Sequence, residues 1–75
     1  MGERLPRVTG KDVVSTLLRL GFELHHVRGS HHQLRNADGR HVTVPVHAGG
    51  VIGPGLLRRI LEQAAVTDDA FRGAL

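Results

Sequence analysis

Six histidines fall between positions 25 and 47, interleaved with Arg28, Arg35 and Arg40. Imidazole titrates near neutrality, so it can both accept and give up a proton, as phosphodiester cleavage by a neighbouring 2′-hydroxyl requires. Guanidinium is a planar fork of donors suited to phosphate. The sharpest local feature is Gly29-Ser30-His31-His32. Its glycine permits a tight turn and the close approach of another backbone, and its serine offers a hydroxyl. A strand would send its two imidazoles to opposite faces.

The elements that must position these groups follow from spacing. Thr9 is a candidate N-cap, with Asp12 three residues on as an imperfect capping box, because Asp reaches back less well than Glu. Val13, Val14, Leu17 and Leu18 then recur at helical spacing up to Gly21, a natural terminator, which gives a first helix over about Gly10 to Leu20. Residues 1–8 read as an exposed arm. Three strands are expected at Phe22 to Val27, His31 to Arg35 and Arg40 to Val46, separated by turns at Arg28-Gly29-Ser30 and Asn36-Ala37-Asp38-Gly39. Pro45 marks that end of the third strand as an edge or an exit from the sheet. His47-Ala48-Gly49-Gly50 reads as a mobile loop. Pro54 begins a second helix carrying Leu57, Ile60, Leu61 and Ala64 on one side, and Thr67 to Phe71 forms a capped turn or short helix whose Phe71 packs back.

Side-chain parity then assigns faces. Phe22, Leu24, Leu34, Val42, Val44 and Val46 are all even-numbered, and three-residue loops at 28–30 and 37–39, the second with Gly39 left-handed, would gather them on one side. Both helices can cover that face. The odd face stays open and carries Glu23, His25, Val27, His31, Gln33, Arg35, His41 and Thr43. His32 falls on the covered face with Leu34, as a packed histidine with one satisfied nitrogen. His31, on the open face, is a surface strand residue, a catalytic or phosphate-contacting group, or a metal ligand. The fold class is α+β, with a three-stranded antiparallel sheet and both helices on one face.

Composition limits what this fold can be used for. The 75 residues (8.1 kDa) make one domain, 1–75 with a core over about 6–71, and its apolar 40% contains two Phe and no Tyr or Trp. The absence of cysteine excludes a disulfide framework, a zinc ribbon and a thiol nucleophile, and fits a reducing cytoplasm. No apolar run is long enough for a signal sequence or a membrane span. A net charge of +3, with Arg supplying all but one of the ten cations, leans toward a polyanionic partner.

Other constellations carry less. Zinc wants four converging ligands, and none of its standard spacings is present, so no metal or other cofactor is expected. Ser30 and His31 are neighbours, but a strand points them apart, which disfavours a serine hydrolase. Gly49 to Gly55 before a helix resembles an anion-binding loop. It lacks the phosphate-binding lysine and the strand–helix–strand context, so it reads as the lead-in turn of the helix. Arg58 and Arg59 read as a solvated helix face.

Gly29-Ser30-His31, Val-Thr-Val-Pro-Val-His at 42–47 and Gly-Pro-Gly-Leu-Leu-Arg-Arg-Ile-Leu at 53–61, with Thr-Gly-Lys-Asp at 9–12 and Leu-Gly-Phe at 20–22, together resemble the HicA family of bacterial toxins. The resemblance spans about residues 6 to 71. It implies a double-stranded-RNA-binding-like α-β-β-β-α fold and a metal-independent endoribonuclease that cleaves mRNA and arrests translation. It also implies a HicB antitoxin that covers the active site of a monomeric toxin in a hetero-oligomer. The family's catalytic histidine, directly after Gly-Ser, corresponds to His31.

On this reading RNA lies on the open face, with Arg28, Arg35 and Arg40 as phosphate contacts, Gly29 and Ser30 steering the backbone and His31 moving a proton. A second proton-transfer group is needed, for which His25, His41 and His47 are the candidates. The alternative is a non-catalytic RNA-binding module of the same fold, which would bind without strand scission. Gly50 and Gly53 stand where such a module would hold phosphates with lysine. A third reading is a pure interaction domain using the apolar edge near Val51 and Ile52.

Overall fold

A computed structural model describes residues 5–75. Its first helix, α1 (Gly10–Arg19), begins at Thr9, whose hydroxyl accepts from the Asp12 amide at 3.1 Å while Asp12 Oδ2 accepts from the Thr9 amide at 3.0 Å. Both halves of the capping box are therefore made, despite the shorter acid. At the far end Gly21 adopts φ +97°, and the amides of Gly21 and Phe22 bond the carbonyls of Leu18 and Leu17. That left-handed stop suits glycine and turns Phe22 into the core. The second helix, α2 (Pro54–Ala64), starts with Pro54 in its first turn and closes the same way through Ala65 and Val66. The last element is a helix, α3 (Asp68–Ala74), capped by the Thr67 hydroxyl, and it carries a wholly buried Phe71.

Strands β2 (Glu23–Arg28), β3 (His31–Arg35) and β4 (His41–Pro45) form an antiparallel sheet in that order, so β4 is an edge, as Pro45 requires. Between β3 and β4 the pairing is odd to odd, from His31 opposite Pro45 to Arg35 opposite His41. The loop joining them is closed by an Asn36 amide to Arg40 carbonyl bond of 3.1 Å, with Gly39 at φ +82°, the expected three-residue turn. Leu34, Val42 and Val44 are buried with Val13 and Leu17 of α1, Leu57, Ile60 and Leu61 of α2, and Phe71. Both long helices thus cover the even face, and the fold is the α+β, double-stranded-RNA-binding-like α-β-β-β-α arrangement.

Two expectations need correction. The first is the exposed arm, whose residues 1–4 lie outside the described region. Leu5 packs against the core and Val8 is buried, because β1 (Val8–Thr9) pairs antiparallel with β5 (Val51–Ile52). This two-residue ribbon straps the start of α1 to the lead-in of α2, and the segment before it turns at Gly50, whose amide bonds the His47 carbonyl at 2.9 Å.

The second correction concerns β2. Glu23 and Leu24 pair with Arg35 and Leu34 as expected, but the register then shifts, so that His26, Val27 and Arg28 pair with Gln33, His32 and His31. His25 is the extra residue of a β-bulge. The turn contains two residues rather than three, with Gly29 at φ +58° and Ser30 at negative φ, the pattern of a type II′ hairpin loop. One residue has in effect moved from the loop into the strand. Past the bulge, even and odd exchange faces: Val27 joins the helix side, where it is 46% exposed, and His26 and Arg28 join the open side.

Gly10 is required by a close approach. A Cβ there would overlap the Pro45 carbonyl oxygen and press on Val46 Cα at 3.0 Å. Gly10→Ala should destabilise the protein by about 1–3 kcal/mol, as forced overpacking does, read as a lower urea midpoint at unchanged slope. The Asp12 carboxyl is held below its ordinary 3.8 by the Thr9 amide and then the Thr9 hydroxyl, and Asp68 below the same value by the Arg58 guanidinium. A depressed folded value means that each group contributes stability above pH 3.8 and loses it as pH falls through the lower folded value. The double variant Asp12→Asn, Asp68→Asn should therefore show a flatter fall of melting temperature with pH below 3.8 than the parent.

Candidate functional site

The open face of the sheet is arranged in three rows. Arg28, His31 and Pro45 form the row next to the β2–β3 turn, His26, Gln33 and Thr43 the middle row, and Glu23, Arg35 and His41 the far row. Side chains directly opposite each other in such rows have Cβ atoms about 4.5–5.5 Å apart. His31 is exposed at the first position of β3, beside Arg28.

Its support comes from the turn. The Ser30 carbonyl accepts from the Val46 amide at 2.7 Å, which ties the turn across β3 to the end of β4. The same carbonyl lies 3.3 Å from His32 Nδ1, a hydrogen bond when that nitrogen carries the proton. His32 itself is half-buried between Val27 and Val44 on the helix side, a packed histidine with one nitrogen engaged. The two adjacent imidazoles thus sit on opposite faces, one exposed and one holding the turn.

The expected site residues divide into two groups. Arg28, Gly29, Ser30 and His31 lie together at the turn end. Arg35 is four residues along β3 from His31, about 13 Å at the rise of a strand, and Arg40 lies beyond it in the β3–β4 loop. Of the other histidines, His25 and His41 meet each other at the far end, with ring centroids 6.3 Å apart and planes at 78°, an edge-to-face contact. His47 follows β4 and belongs to none of the three rows. Strict alternation along β2 would put His26 on the covered face, and the bulge turns it to the open one. Glycine at position 29 was the available signal, because it fits a two-residue loop as well as a three-residue one.

In the three rows Arg28 and Arg35 stand against a single carboxylate, Glu23. Among the described residues no ion pair involves Arg28 or Arg35, whereas on the helices Arg58 is bonded to Asp68 at 2.7 Å and Arg72 to Asp69 at 2.8 Å. A groove beside Val51 to Pro54 and a cleft that Arg40 lines with Asn36, Ala64 and Thr67 lie elsewhere, and neither includes His31. Such a face suits a polymer laid across it better than a small molecule enclosed by it. Among the described residues no three His, Asp or Glu side chains converge as a metal site would need, and no helix is long and apolar enough to cross a membrane.

Helix, three-stranded meander and helix, with one sheet face covered and the other exposing imidazole and guanidinium, define a small α+β protein of the double-stranded-RNA-binding-like class. Residues 10–66, which hold α1, the whole sheet and α2, match the family of HicA toxins of bacterial toxin–antitoxin systems. The chain belongs to that family and is a toxin of a toxin–antitoxin system. Among curated proteins none matches it.

The opposed placements of His31 and His32 predict opposed effects. His32→Ala should cost about 1 kcal/mol of stability, the worth of a typical buried hydrogen bond. His31→Ala should stay within about 0.5 kcal/mol of the parent, as exposed substitutions do. Thermal melts of both variants check this.

Proposed function

We propose that this toxin is a metal-independent endoribonuclease that cleaves mRNA and so arrests translation, with His31 as a catalytic proton-transfer group. The carrying observation is the position of His31. It is exposed on the uncovered sheet face, backed by a turn whose carbonyl is bonded twice and flanked by Arg28. It directly follows Gly29-Ser30, the place to which the family resemblance assigns a catalytic histidine.

The roles follow from the rows. Arg28 faces the same phosphate as His31 and offsets the charge that develops as the phosphorus becomes five-coordinate. Gly29 and Ser30 let the RNA backbone approach the turn. Arg35 and Arg40, further along, contact phosphates of neighbouring nucleotides and contribute to affinity rather than to the chemical step. The substrate is single-stranded or loosely structured RNA, because a flat strand surface can accept a splayed backbone. The partner is a HicB-type antitoxin, bound over the open face in a hetero-oligomer, and the toxin alone is monomeric. Protein and substrate meet in the cytoplasm.

Inducing the parent chain without antitoxin should arrest growth and fragment cellular RNA, and His31→Ala, at equal soluble yield, should do neither. EDTA should leave cleavage by the purified protein unchanged. Arrest by the His31→Ala variant would exclude His31 as the catalytic group. RNA binding without scission by the parent would favour a non-catalytic module of the same fold.

A further inference from the structure

We propose that His26 is the second proton-transfer group of the site, paired with His31 across the β2–β3 hairpin; this rests on the ribonuclease reading above. Intramolecular cleavage of RNA requires two proton transfers. One imidazole takes the proton of the 2′-hydroxyl as that oxygen bonds to phosphorus. The other, entering as imidazolium, gives its proton to the 5′-oxygen as the bond from phosphorus to that oxygen breaks. The products are a 2′,3′-cyclic phosphate and a 5′-hydroxyl end. A single histidine cannot be base and acid in the same step.

The register selects the partner. His31 is opposite Arg28, and His26 lies two residues from Arg28 on the same face, so His26 and His31 are diagonal neighbours across two paired strands. Diagonal positions are about 7–8 Å apart, which leaves room for one phosphate between the two rings. Arg28 is next to both, placed for the equatorial oxygens of that phosphate. The three side chains form a triangle, and all three residues are exposed.

The other imidazoles are less suited. His25 and His41 contact each other at the opposite end of the sheet, beside Arg35 and Glu23. His32 is on the other face, engaged with the Ser30 carbonyl. Without the bulge at His25, parity would turn His26 under the sheet. The bulge therefore has a use beyond blunting an edge strand. It brings His26 to the face that already carries His31.

The electrostatic surroundings of His26 bear on any pH profile. Arg28 lies beside it on its own strand, uncharged Gln33 faces it from β3 and Thr43 continues that row on β4. His31 is the titratable group diagonal to it, and His25 precedes it in the bulge. Glu23 and Arg35 face each other in the far row.

The test uses the full-length protein with a short synthetic single-stranded RNA, and the same RNA with sulfur replacing the 5′-bridging oxygen at one linkage, a leaving group that needs no proton. The parent should show a bell-shaped dependence of kcat on pH. His26→Gln should lower kcat about 100-fold or more, the usual worth of one acid or base, with KM within a few-fold and one limb of the bell lost. The sulfur linkage should restore one of His26→Gln and His31→Gln to within about tenfold of the parent and leave the other slow, separating acid from base. Circular dichroism melts matching the parent would place the loss in chemistry rather than folding. Parent cleavage with a His26→Gln variant that keeps both limbs of the bell, or with neither variant rescued by sulfur, would overturn the His26 assignment and leave the nuclease reading standing. A parent protein that leaves the RNA intact would overturn both.

Discussion

The covering of the sheet on one side governs the rest of the structure. In a chain this short, with 40% apolar residues and no Trp or Tyr, the two long helices bury the inner face of β3 and β4 and leave Leu24 and Val27 on β2 each 46% exposed. Among the described residues no element covers the opposite face. Because side chains alternate along a strand, the same packing that buries Leu34, Val42 and Val44 commits His31 and Thr43 to solvent. The imidazole-bearing surface is thus a by-product of how the core is filled, and it is backed by His32 and the Ser30 carbonyl.

That alternation explains what could be read from the residues and what could not. β3 and β4 follow parity from end to end, so the faces of His31, His32, Leu34, Val42 and Val44 were legible. The helices were legible because their caps are local: Thr9 with Asp12, Gly21, Pro54 and Thr67 each act on neighbours within a turn. β2 was not legible past Leu24. A three-residue loop, and a two-residue loop with a bulge, give the same pairing of Glu23 with Arg35, and they differ only in which faces His26, Val27 and Arg28 take. No residue type in Leu24-His25-His26-Val27 marks the bulge. The β1–β5 ribbon was hidden for another reason: two residues per strand are too few to show a period, and the pairing joins segments more than forty positions apart.

The consequences for the site are specific. Treating β2 as regular sets Val27 opposite His31 on the open face, with His25 diagonal to it and Arg28 in the loop. The actual register replaces Val27 there with Arg28 and His25 with His26, which makes a compact group at one end of the sheet. Arg35 and His41 mark the other end, so the face has a length and a direction along which an extended anion can lie. Affinity for such a partner should fall with salt, because guanidinium groups displace counterions from phosphate.

If the toxin works as proposed, RNA occupies this open face, at the end defined by the β2–β3 turn. The most direct measurement is backbone amide NMR of the isotope-labelled toxin, titrated with a short RNA fully 2′-O-methylated so that it cannot be cleaved. Shifts concentrated at Arg28, His31, Gln33 and Thr43, fading toward Arg35 and smallest on α1 and α2, are the expected result. Shifts confined to Gly53 to Arg58 at the start of α2, with β3 unmoved, would contradict it.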